Sequence, residues 1–416
     1  MYQIENVLRP YAWGSTTAIA ELLGRPASGG PEAELWIGAH PDSPSTAFHP
    51  NGVTQSLDEL IASNPLHHLG AASLEEFGPR LPFLTKLLAA EQPLSLQVHP
   101  SLEQARDGYA RENAAGMAAG SAERNYKDDN HKPEMIFALT PFRALCGFRP
   151  AAVSRSIFEH LASVLDSAAR NVPAIITGVI QDLGQDDEAS ALRAAFTRLI
   201  EGGDEVSAAV ADVESVLRSG APREPHDEAL TAMLGINDAF PGDPGVLISL
   251  LLNHLSLQPG EAVYLPAGNI HAYLHGLGVE VMAASDNVLR GGLTPKHVDV
   301  PELLKTVRFE SLGVPRVLAE STGLGQELYR PPFKEFQLQR IELGPDASPV
   351  PLAQSGPAVV VVVAGSVVLD SPKSDLRLTR GGTAFIPEVE APVNVHPVQG
   401  ASGTSVAFAV TTGLGN

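Results

Sequence analysis

The 416-residue sequence contains a single cysteine, Cys146. One thiol permits no intramolecular disulfide and no thiolate zinc cage, so any metal must be held by nitrogen and oxygen. No apolar run approaches the roughly 18 residues that cross a bilayer, and the first residues show no basic stretch followed by an apolar one. A soluble, cytoplasmic protein without a membrane partner is expected. Positive charge is also scarce: 28 Lys and Arg stand against 48 Asp and Glu, a formal charge of −20. That balance argues against nucleic acid and anionic membranes as partners. Only seven lysines are present, and four of them (Lys86, Lys127, Lys132, Lys296) fall in the stretches that carry chemistry. Local positive charge in an acidic chain points to a small anionic ligand.

What is present is 44% hydrophobic residues, enough for real cores in two or three domains. Leu94-Ser95-Leu96-Gln97-Val98-His99-Pro100 reads as a short strand. With side chains alternating, Gln97 and His99 project from one face about 7 Å apart, a spacing suited to a metal chelate. Two ligands do not hold a divalent ion against water, so a carboxylate and a second imidazole are needed. Glu134 opens the strand texture Met135 to Leu139 after the polar run Tyr126 to Pro133. His271 ends Gly260-Glu-Ala-Val-Tyr-Leu-Pro266-Ala-Gly268-Asn-Ile-His271, with the spacing G-x5-P-x-G-x2-H. Gln97, His99, Glu134 and His271 together make a two-nitrogen, two-oxygen set with one formal negative charge. Zinc suits it, while iron and manganese stay open alternatives.

From Ala151 apolar residues recur at helical spacing (Val153, Ile157, Leu161, Val164, Leu165), and the pattern continues to about residue 253. Strand texture returns at Leu255. The spacing around His271 resembles the second half of a cupin motif, in which glycines and proline shape the turns of a small jelly-roll barrel. Near the C-terminus Gly381 to Pro387 repeats the G-x5-P spacing, but Pro392 stands where the histidine would fall. The expected fold is mainly β: tandem cupin-like jelly-roll barrels with an α-helical insertion. Residues 1–150 and 254–328 form the metal barrel, 151–253 the insertion, and 329–416 a degenerate barrel without metal.

Two longer signatures carry a family resemblance. Tyr126 to Glu134 reads Y-x-D-x-N-H-K-P-E, and His271 to Lys296 reads H-A-Y-L-x-G-x2-V-E-x-M-A-x-S-D-N-x-L-R-G-G-x-T-P-K. With L-S-L-Q-V-H-P, Tyr11 to Gly14 and E-L-W-I-G-A-H-P, the chain resembles the type I mannose-6-phosphate isomerases (phosphomannose isomerases) of the cupin superfamily over most of its length. The resemblance implies zinc, one per chain, on Gln97, His99, Glu134 and His271, with Arg290 as the active-site arginine. It also implies Lys132, Glu280, Tyr273 and Asp286 in the pocket, and Ser95 and Lys296 toward a phosphate. His131 is expected either to support metal or substrate or to act directly in catalysis. Gly291 replaces a common alanine, Leu102 a common lysine and Ala12 an occasional aspartate.

The chemistry agrees. Interconverting mannose 6-phosphate and fructose 6-phosphate needs a base beside a carbonyl, an electrophile for the oxygens and a phosphate clamp. Arg290 stays protonated, so it is assigned to the oxyanion rather than to proton removal. Glu280 is the preferred proton carrier, with Asp286, His99 and a metal-bound water as rivals. Two other classes compete: a cupin oxygenase, which the glutamine ligand and the cations disfavour, and a non-catalytic sugar-binding cupin, for which an open zinc site has no purpose. A monomer acting on a phosphosugar is expected.

Overall fold

The computed structural model describes residues 1–118, 120–400 and 403–415. From residue 151 the apolar recurrence becomes the helices Ala151–Ser167, Ala174–Asp182, Glu188–Glu201, Gly203–Arg218, Asp227–Ala239 and Pro244–Ile248. Pro150 and Pro173 stand directly before the first two, and at the third Asp187 accepts the Ser190 N–H at 2.9 Å. These residues satisfy or dispense with donors that a helix start leaves unpaired. Ile157, Leu161 and Leu165 from the first helix and Val206, Val210 and Val213 from the fourth converge in one apolar cluster. Leu96, Val98, Ile270 and Leu289 belong to the same cluster, so the helices rest on the back of the strands that carry the site. Strand structure resumes at Leu252–Leu257, three residues before the Leu255 that the sequence pattern indicates.

The remaining chain forms antiparallel sheets. The largest runs Arg316–Val317, Ala262–Leu265, Glu134–Ala138, His271–Ala283, Phe83–Ala90, Glu34–Ile37 and Val7–Arg9, with Phe142–Phe148, Leu252–Leu257, Gln97–Val98 and Leu289–Arg290 joined at its side. A nine-stranded sheet has the valine-rich strand Ala358–Ala364 at its middle, between Ser405–Thr411 and Thr383–Ile386. Six of that strand's seven residues are buried, as expected of β-branched residues covered on both faces. Past Thr383–Ile386 the next strand is Tyr2–Glu5, followed by Thr46–Phe48 and Thr54–Ser56. This sheet therefore draws strands from both sides of the boundary expected at residue 329 and from the first 56 residues. A four-stranded sheet (Val350–Pro351, Asn394–Pro397, Ser366–Asp370, Asp375–Thr379) completes the C-terminal segment.

The expectation of a mainly β chain is corrected. Helices and strands occupy comparable shares, because long helices fill 151–248 and short ones 57–77 while many strands span only two to five residues.

Candidate metal centre

Strand alternation puts the site on one face. Leu96 and Val98 point into the helical cluster, while Ser95 and Gln97, which alternate with them, are only partly covered. Gln97 pairs with His271 on one side and with Arg290 on the other. The helix Leu102–Ala114 begins two residues beyond Pro100. Its capping box, with the Gln104 N–H donating to Ser101 Oγ (3.2 Å) and the Ser101 N–H to Gln104 Oε1 (2.9 Å), fixes the end of the His99 segment. The turn before His271 is set by Gly268, at φ +80°, where a Cβ would lie 2.4 Å from Arg308 Cγ. The Gly268 N–H donates to the His99 carbonyl at 2.9 Å, tying the two histidine segments together.

His99, Glu134 and His271 are all buried and offer ligand atoms within 4.8 Å of one another. Each imidazole meets a backbone carbonyl through Nδ1, His99 at Asn287 (2.7 Å) and His271 at Asn269 (3.0 Å). A carbonyl only accepts, so each Nδ1 carries the hydrogen, and the Nε2 of a neutral ring presents a lone pair. Those atoms face Glu134 Oε1 at 3.2 Å and Oε2 at 3.3 Å. Burial drives His99 down to about 4, so its ring is neutral near pH 7, and its Nε2 has no hydrogen-bond partner. Lone pairs of neutral nitrogen and carboxylate facing one another in a dry site call for an electrophile between them. The donor set fits a divalent metal, with the carbonyls holding the tautomers that such ligands require. Gln97 lines the same cavity of about 70 Å³ and adds an amide oxygen.

Around this centre the charges form a buried network. Lys132 Nζ lies 2.9 Å from Glu134 Oε1, and Lys86 Nζ 2.9 Å from Glu280 Oε2 and 3.7 Å from Glu34 Oε2. Trp36, Lys86 and Glu280 sit side by side on three adjacent strands. The Trp36 indole donates to Glu34 at 2.6 Å and its ring lies 5.2 Å from the Lys86 ammonium. Burial opposes the Lys86 charge, but Glu280 and Glu34 outweigh it and keep the ammonium protonated. Burial likewise opposes the charge on Glu134, yet Lys132 and the imidazoles hold its carboxyl well below the usual range. Glu280 moves the other way: burial, with Glu134 and Glu34 assisting, pushes it up against the pull of Lys86. Two buried carboxylates pushed apart in this way are suited to different roles, one as a permanent anion and one as a proton carrier. Tyr273 lines this cavity too, its buried hydroxyl without a hydrogen-bond partner and its pKa raised by burial and then by Glu280 and Glu134.

The other expected residues lie further out. Arg290 is partly buried, and burial lowers its pKa; Lys296 is exposed, and its pKa is lowered by burial and then by Arg290 and Lys127. Among the described residues none of Arg290, Lys296 and Lys127 has a carboxylate within ion-pair distance. Ser95 is beside Leu94 and Leu96 and half-buried. His131 is not at the metal cluster; its Nε2 pairs with Glu335 from the C-terminal segment. Asp286 lines a separate cavity of about 620 Å³ with His40, Asp42 and Asp128, and its Oδ2 lies 3.4 Å from His40 Nε2. Lys86, Glu34, Trp36 and Lys127 were not among the expected site residues. The signal for Lys86 was there: it is the one charged residue in Phe83–Ala90, a strand buried throughout.

The family model for the type I phosphomannose isomerase catalytic domain matches residues 1–151. The mannose-6-phosphate isomerase of Escherichia coli (strain K12) is 41% identical over 95% of this chain and 97% of its own. The chain belongs to the mannose-6-phosphate isomerase family. A crystal structure of a K86A variant of the Salmonella typhimurium phosphomannose isomerase matches it with a TM-score of 0.86 at 38% identity, over 99% of both chains. A zinc-bound mannose 6-phosphate isomerase matches with a TM-score of 0.85 at 38% identity, again over 99% of both. In the family's terms, then, a buried His99, Glu134 and His271 cluster able to hold a metal lies where Lys86 and Glu280 can reach its cavity.

Proposed function

We propose that this chain is a zinc-dependent isomerase that interconverts D-mannose 6-phosphate and D-fructose 6-phosphate through an enediol(ate). The observation that carries the reading is the pair of Nδ1-tethered imidazoles aiming lone pairs at Glu134. Gln97, His99, Glu134 and His271 would hold one zinc, which when bound supplies electrophilic polarisation of the sugar oxygens. Glu280, kept as a carboxylate by the adjacent Lys86, takes the proton from C2 of the open-chain aldose. Electrons from the broken C2–H bond form the C1–C2 double bond and those of the carbonyl move to O1. A proton passes from O2 to O1, Glu280 returns its proton to C1, and the carbonyl re-forms at C2.

Arg290 meets the developing oxyanion, and with Lys127 and Lys296 it attracts the phosphate. Lys132 and Tyr273 line the reacting end, Ser95 lies toward the phosphate and His131 steadies the loop that carries Lys132. Asp286 keeps a part in the reading only through the separate cavity it lines with His40, away from the reacting carbons. The reading includes two cupin-like barrels, one discontinuous over 1–150 and 254–328 with 151–253 inserted, and a metal-free one over 329–416. Its other parts are a monomer in the cytoplasm with a phosphosugar as its only partner class. Fructose 6-phosphate formed from mannose 6-phosphate, lost on chelation and restored by zinc, tests it. Oxygen uptake instead would favour a cupin oxygenase, and sugar binding without turnover a binding protein.

A further inference from the structure

Asn287 has no catalytic chemistry of its own, yet it is fully buried and every polar atom of its side chain is engaged. Its Oδ1 accepts the N–H of Lys127 (2.7 Å) and of Asp128 (3.3 Å). Its Nδ2 donates to the carbonyls of Asp128 and Asn130, both at 2.8 Å. Its backbone carbonyl receives the His99 Nδ1–H, and its own N–H donates to Ser285 Oγ at 3.2 Å. Ser285 in turn donates to Asp128 Oδ1 at 2.8 Å, and the Asp286 N–H donates to Asp128 Oδ2 at 2.8 Å. One residue thus fixes the backbone of a loop that presents the cation Lys127 and orients the imidazole of His99, a member of the candidate metal cluster.

We propose that Asn287 is a positioning residue that couples the metal centre to the cationic phosphate loop. The inference rests on the functional reading above. A carbonyl that sets the direction of a ligating imidazole governs how well its lone pair meets the ion, and loss of such outer partners weakens metal binding by roughly 10- to 100-fold. The side-chain amide holds the carbonyl in place by clamping 127–130 against 285–290, so deleting the amide acts on both sites at once. Both halves of the amide are needed. Aspartate would keep the oxygen that accepts the two N–H bonds but set a second oxygen against the carbonyls of Asp128 and Asn130.

The test measures zinc dissociation constants by chelator competition, and kcat and KM for mannose 6-phosphate at saturating zinc, in wild type, Asn287→Ala, Asn287→Asp and the milder Ser285→Ala. In Asn287→Ala the zinc dissociation constant should rise by roughly 10- to 100-fold, and KM should rise by a larger factor than kcat falls. Asn287→Asp should be no better, and Ser285→Ala, which leaves the amide in place, should move both constants the same way by less. A residue that only stabilises the fold would lower the melting temperature and leave both constants of the folded protein unchanged. Wild-type zinc affinity and KM in folded Asn287→Ala, or in Ser285→Ala should the alanine variant not fold, would overturn the proposal alone. A wild-type protein that binds no zinc would overturn the functional reading and this one with it.

Discussion

Replacing Glu280 by glutamine removes a carboxylate that is 3% exposed and lies 2.9 Å from the Lys86 ammonium. What remains for Lys86 is Glu34 at 3.7 Å and the Trp36 ring at 5.2 Å. Removing one partner of a buried ion pair costs about 3–5 kcal/mol, and because the glutamine oxygen still accepts one hydrogen bond the lower end applies. Loss of the proton carrier should lower kcat by roughly 10²- to 10⁴-fold. The two losses are separable. In Lys86→Met/Glu280→Gln no ammonium is left unpaired but buried Glu34 keeps only the Trp36 indole, so part of the stability should return while activity stays lost. Urea unfolding of the wild type, the Glu280→Gln variant and the double variant measures the first effect; turnover and solvent deuterium incorporation at C1 and C2 measure the second. Zinc content should stay at the wild-type level throughout. Turnover by Glu280→Gln within about threefold of wild type, against the range expected for a general base, would refute the assignment of the proton carrier.

Arg290→Lys should retain zinc and melting temperature but lose about two or more orders of magnitude in kcat, because a compact ammonium does not meet two adjacent enediolate oxygens as a planar fork does. Parallel zinc analysis and kinetics decide this, and near-wild-type turnover would make the residue a generic charge. His68, 3% exposed between Tyr2 and Phe385, is driven down to about 4 by burial and then by His67 and His49. Its folded value lies below the unfolded one of about 6.5, so the stability it contributes is present above about 6.5 and is lost as pH falls toward 4. His68→Phe should therefore show a shallower fall of melting temperature between pH 7 and 4, and an unchanged slope would contradict this.

How much could be read from the chain follows from how local each signal is. Gln97 and His99 are two residues apart, and the turn chemistry before His271 is contained in twelve residues, so the metal set was visible as a pattern. The row Trp36, Lys86 and Glu280 was not, because it exists only through the register of three strands far apart in sequence. The pairing of Tyr2 with Phe385 joins the two ends of the chain, and the contact of His131 with Glu335 spans 204 residues; neither leaves a mark on either segment alone. Asp286 was expected in the pocket from the family resemblance alone; its contact with His40, some 246 residues earlier in the chain, has no local signal in either segment.

The most direct measurement is a zinc titration of metal-stripped protein, with isomerisation of mannose 6-phosphate read at each addition. Activity should rise linearly to one equivalent per chain and then stay flat, and His271→Ala should show none at any equivalence. Full activity in the stripped protein, or a plateau reached only at two equivalents, would contradict a single zinc on His99, Glu134 and His271 as the centre of the chemistry.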